Sequence, residues 1–112
     1  MAVRPIHIQG INPDGTLQLS DNGNTTANPG DTIQWIVDPQ SGVDKISSIH
    51  DTSATDVFYP DPTRQPGNSP NFQGTINPNL TPLPQTESYC IYYTVPGSSV
   101  VNMSDPIIQV KP

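Results

Sequence analysis

Asn28-Pro29-Gly30-Asp31-Thr32-Ile33-Gln34-Trp35-Ile36-Val37 joins a tight turn to an alternating strand. Proline presets φ and glycine accepts a positive one, so Pro29-Gly30 turns the chain. Beyond it Ile33, Trp35 and Val37 share one face, because strand side chains alternate with a period of two. The same reading extends outward in both directions. Val3 to Gln9 sets Ile6 and Ile8 against His7 and Gln9, with Pro5 near an edge or at the strand's start. Asn12-Pro13-Asp14-Gly15 is a turn leading into a strand from Thr16 to Ser20, and Asp21-Asn22-Gly23-Asn24 is a further turn cluster. Thr86 to Val95 carries the longest strand signal, and Asp105 to Lys111 closes the chain with Ile108 and Val110 on one face. Val43 to Ile49 stays open between strand and helical turn, because Val43, Ile46 and Ile49 recur at a spacing of three.

Composition limits what such a chain can be. Its 112 residues fit a single domain, 1–112, with one modest core. Pro 14 and Gly 8 forbid long helices, while a charged fraction of 12% and alternating apolar runs argue for a folded all-β chain over a disordered one. With a net charge of -6 and Arg4, Lys45, Arg64 and Lys111 as its fixed cations, the chain offers no basic surface to nucleic acid or anionic lipid. No run approaches the roughly 20 apolar residues of a membrane span, so membrane insertion is not expected. Met1-Ala2-Val3-Arg4-Pro5 does not open a signal peptide, which as written reads as cytoplasmic. An exported protein trimmed of its signal would look the same. Cys90, a single cysteine, forms no internal disulfide and carries no compartment signal. Asn24-Thr25-Thr26, Asn79-Leu80-Thr81 and Asn102-Met103-Ser104 fit the glycosylation pattern, which a chain rich in Asn, Ser and Thr produces by chance.

The Pro29-Gly30-Asp31 turn entering the Trp35 strand, a variable middle, the strand Glu87-Ser88-Tyr89-Cys90-Ile91-Tyr92-Tyr93-Thr94-Val95-Pro96-Gly97 and a short last strand together resemble cupredoxins, the blue copper proteins. The resemblance covers most of the chain. It implies an antiparallel Greek-key β-sandwich, with Ile33, Trp35, Val37, Tyr89, Ile91, Tyr93, Ile108 and Val110 central to the core. It also exposes a departure, because copper wants a thiolate, imidazoles and a weak axial thioether. Tyr93 stands where the family's ligand cysteine would be, and no histidine follows it. His50 matches the place of a first histidine ligand and Met103 that of an axial methionine. Cys90 lies three residues before Tyr93, on the opposite strand face. Strand alternation therefore argues against His50, Cys90 and Met103 converging, and the expectation is a scaffold without a copper site and without any cofactor.

Other chemistry is thinner. Asp38, Asp44, Asp51, Asp56 and Asp61 crowd the middle of the chain, but their spacing matches no calcium loop, and the sole glutamate is Glu87. Nucleophilic catalysis would need His7 or His50 beside a Ser or Cys, and neither lies in a nucleophile motif, so an enzyme is not expected. A lone strand cysteine such as Cys90 is ordinarily a small buried hydrophobe. Trp35, Tyr89 and Tyr93 feed the core, leaving Phe58, Tyr59, Phe72 and Tyr92 for an interaction surface that would suit a protein or a glycan. From Tyr59 to Pro84 prolines dominate, and a long loop over the sandwich is expected there, with short extended pieces at Asp56 to Tyr59 and Phe72 to Ile76. A binding or structural module with no catalytic role follows. An adhesive module that assembles with itself is an alternative, since edge strands pair unless prolines or charges block them, as Pro5 and Lys111 do here.

Overall fold

The computed structural model describes residues 2–52, 56–59, 61–67 and 69–111; Met1, named above, and Pro60 and Asn68 of the proline-rich stretch lie outside the described residues. Ten strands form among them: β1 (Val3–Ile11), β2 (Leu17–Leu19), β3 (Asn24–Ala27), β4 (Thr32–Val37), β5 (Lys45–Asp51), β6 (Thr63–Arg64), β7 (Phe72–Thr75), β8 (Gln85–Thr94), β9 (Asn102–Ser104) and β10 (Ile107–Val110). They make two packed sheets, ordered β2-β1-β4-β7-β6 and β3-β10-β8-β5, with β9 on β8. The all-β sandwich expected from the alternation is what the chain adopts. Most neighbours are antiparallel, but each sheet holds one parallel pair, β1 with β4 and β3 with β10. Among the described residues no helix is long and apolar enough to cross a membrane.

The core lies between the sheets, and the inward faces are those the period of two selects. Ile6, Ile8, Ile33, Trp35, Tyr89, Ile91, Tyr93, Ile108 and Val110 are all buried, and half-buried Val37 packs against them. The Trp35 indole meets the Phe58 and Tyr89 rings at 5.6 Å, and its Nε1–H donates to the Tyr89 hydroxyl at 3.1 Å. That bond satisfies the polar edge of the largest buried side chain. The undecided stretch Val43 to Ile49 is strand. A register shift between Ile46 and Ser48 in the pairing with β8 inserts one residue, so Ile46 and Ile49 both face inward at a spacing that imitates a helix. Pro5 sits where β1 has a neighbour on one side only, since β2 begins pairing at Ile8.

The opening turn fixes the parallel pair. Gly30 takes φ 86°, and the Asp31 N–H donates to the Asn28 carbonyl. The Asp31 carboxylate, nearly buried, accepts Ala2 N–H on Oδ1 and both Arg4 Nε and Asn28 N–H on Oδ2. It thus binds the start of β1 to the start of β4. Burial alone would raise its pKa, but the Ala2, Arg4 and Asn28 hydrogen bonds outweigh that, and the carboxyl lies below its ordinary 3.8. A depressed folded pKa contributes stability above the unfolded value and loses it as pH falls through the folded one. Asp31→Asn, which turns an amide donor toward these donors, is expected to cost about 2 kcal/mol at neutral pH. Urea unfolding will show the gap from wild type narrowing below pH 3.8.

Candidate functional site

The buried positions Tyr89, Ile91 and Tyr93 of β8 are spaced by two, and Glu87 is the preceding position in that phase. The chain's sole glutamate is thereby carried fully inside the sandwich. Its Oε1 accepts the Val57 N–H at 2.9 Å, which holds the connection after β5 against β8. Oε2 is buried and has no hydrogen-bond donor among the described residues. Asp51, at the end of β5, and Asp56 bring their carboxylates to the same place: one oxygen from each of Asp51, Asp56 and Glu87 lies within 4.8 Å of the other two. These side chains, with Asp61, His50 and Phe58, line a cleft of about 240 Å³.

Electrostatics in this cleft favour a neutral Glu87. Burial is the main reason its pKa is pushed up to about 8; the Asp56 and Asp51 charges and an acid hydrogen bond to Asp56 add to that, and only the Val57 N–H opposes it. Partial burial, with the Asp56 and Asp61 charges, also raises Asp51, against the pull of His50. No lysine or arginine lines the cleft among the described residues. Carboxyls this close cannot all ionise without a compensating positive charge.

Sequence reasoning noticed Asp51, Asp56 and Asp61 but did not connect them with Glu87. The signal was present in the alternation that placed Tyr89, Ile91 and Tyr93 in the core, because Glu87 shares their phase.

The residues considered for copper are arranged differently from the sequence expectation. His50 sits directly opposite Cys90 across the β5–β8 pair, and Met103 directly opposite Tyr92 across β8–β9. All three therefore lie on the outer face of one sheet, because neighbouring strands cancel the alternation that a single strand imposes. Tyr92 stands between them, with His50 edge-on to its ring at 5.7 Å. Cys90 is buried, as a lone strand cysteine should be. Burial, and hydrogen bonding to Asp105, push its thiol up to about 11, so it is not a thiolate at neutral pH. Tyr93 points into the core and donates to the Gly15 carbonyl. His7 is held by Asp38, Nδ1 to Oδ1 at 2.8 Å.

The expected aromatic surface is corrected in part. Phe58 and Phe72 are buried, Phe58 against Trp35 and Phe72 under the Arg64 guanidinium, since both side chains fall on the inward phase of their short extended segments. Tyr59 is 72% exposed beside β7, and half-buried Tyr92 lies on the other sheet. A broader groove of about 690 Å³ between β2 and β9 includes Met103 but no aromatic ring. No protein-family model matches the chain, and no curated protein matches it in sequence.

The Glu87 arrangement has a defined pH signature. Its folded pKa lies above the unfolded one, so its contribution to native stability is fullest below about 4.5 and is lost as pH rises toward about 8. Thermal melts without divalent cations are expected to show this decline, and Glu87→Gln, isosteric and always neutral, will remove most of it and melt higher than wild type above pH 8.

Proposed function

We propose that this chain is a non-catalytic binding module on a cupredoxin-like sandwich whose copper site is missing. The observation that carries the reading is Tyr93: the position of the family's ligand cysteine holds a core tyrosine bonded to the Gly15 carbonyl. The protonated Cys90 thiol fits the same reading, because copper binds the thiolate. Catalysis is disfavoured by the surroundings of two candidate groups, His7 and Glu87. Asp38 engages His7, and Glu87, though it lines the cleft, has no exposed surface from which to protonate a bulky substrate. The contact surface in this reading lies on the proline-rich stretch after β5, where Tyr59 presents its ring to solvent. The partner is a protein or a glycan.

A second reading, an atypical metal site of His50, Cys90 and Met103, is favoured by their common face on β5, β8 and β9. Titration of the reduced chain with Cu(I) and Cu(II), followed by absorption and calorimetry, separates the two. The binding-module reading expects no tight stoichiometric site and no thiolate-to-copper charge-transfer band. A one-to-one complex lost in His50→Ala and Cys90→Ser would overturn it in favour of copper carriage.

A further inference from the structure

We propose that Asp51, Asp56 and Glu87 form a binding site for a hard divalent cation, calcium, at the mouth of the cleft beside β8. Two observations meet there. The first is the set of donors: three carboxylate oxygens, from the end of β5, the segment that follows it and β8, all within 4.8 Å of one another. Calcium–oxygen bonds of about 2.3–2.6 Å place ligand oxygens up to about 5 Å apart across the ion, so the three can reach one calcium without rearranging the strands. The second is Glu87 Oε2, buried in the fold, in a side chain that lines the cleft, and without a donor among the described residues. That oxygen is answered either by the proton Glu87 shares with Asp56 or by a cation; once Glu87 is ionised, lacking a cation would leave a buried acceptor unpaired at a cost of about 1–3 kcal/mol.

The chemistry selects the ion. An all-oxygen, acidic donor set suits calcium or magnesium rather than copper or zinc, which favour sulfur and nitrogen. Magnesium demands near-ideal octahedral geometry and sheds water reluctantly, whereas calcium accepts irregular shells completed by solvent. Asp51 and Asp56 are exposed, so solvent can complete the shell on the open side, and Asp61 adds a further negative charge to the cleft. The bound ion would tie the end of β5 and the segment carrying Asp56 to the buried strand β8. This inference rests on the carboxylates alone and holds whether or not the copper-free reading does.

The test is a calcium titration of the chelator-stripped full chain by calorimetry at neutral pH and physiological salt, with thermal melts in parallel. One calcium per chain and a higher Tm are expected, because a ligand that binds the folded state stabilises it. Asp51→Asn and Asp56→Asn, both at exposed positions, should each weaken binding about tenfold or more, ~1.4 kcal/mol, while Asp44→Asn leaves it unchanged. Glu87→Gln should abolish the calcium-dependent rise in Tm while remaining folded. Three results would overturn the proposal: no heat and no change in Tm up to millimolar calcium; binding that survives both aspartate substitutions, which marks diffuse attraction to an acidic chain; or a wild type insensitive to calcium beside a stabilised Glu87→Gln, which marks a proton shared with Asp56 and nothing more.

Discussion

Strand β8 runs the length of the second sheet and pairs with β10, β5 and β9, and its period of two decides what enters the core. Tyr89, Ile91 and Tyr93 must face inward to cover the opposite sheet, and Tyr89 must meet the Trp35 indole. A strand cannot turn one residue out of phase without a bulge. Glu87 is therefore drawn inside with its neighbours. A carboxyl so placed has three means of relief: a backbone donor, a proton or a cation. Val57 provides the first for one oxygen, and the clustering of Asp51 and Asp56 leaves the other oxygen to a proton or an ion.

The first sheet has a polar anchor of its own. Asp31 gathers three donors where β1 and β4 begin, so the parallel register from Val3 opposite Thr32 to Ile8 opposite Val37 starts from a fixed place. The contrast with Glu87 is instructive. Both carboxyls are buried at a strand's beginning, yet one is surrounded by donors and held ionised, and the other faces carboxylates and is held neutral. Burial pushes both carboxyls toward the neutral form; at Asp31 the donors within reach outweigh it, and at Glu87 the one backbone donor does not.

The sandwich was legible in the sequence wherever alternation was clean, as in Ile6 and Ile8, Ile33 and Trp35, and Tyr89 through Tyr93. Between Val43 and Ile49 it was ambiguous, because the bulge after Ile46 replaces a spacing of two with one of three. The parallel pairs were not legible, since periodicity reports which face a residue takes and not which strand lies beside it. The same limit explains the candidate sites. His50, Cys90 and Met103 share a face through pairing across strands, which spacing along one strand does not encode. Phe58 and Phe72 were assigned to a surface because the prolines around them read as loop, whereas both segments pair with neighbours and turn their rings inward. The acidic cleft joins Asp51 and Asp56 to a residue far along the chain, and only the phase of Glu87 hinted at it.

Because Glu87 is the sole glutamate, selective carbon-13 labelling of glutamate at Cδ gives a single resonance whose pH titration reports this carboxyl directly. In the absence of divalent cations the account predicts a midpoint near 8, moved well downward when calcium is present. A midpoint close to the ordinary 4.5, the same with and without calcium, would contradict it and place Glu87 in water rather than in the core.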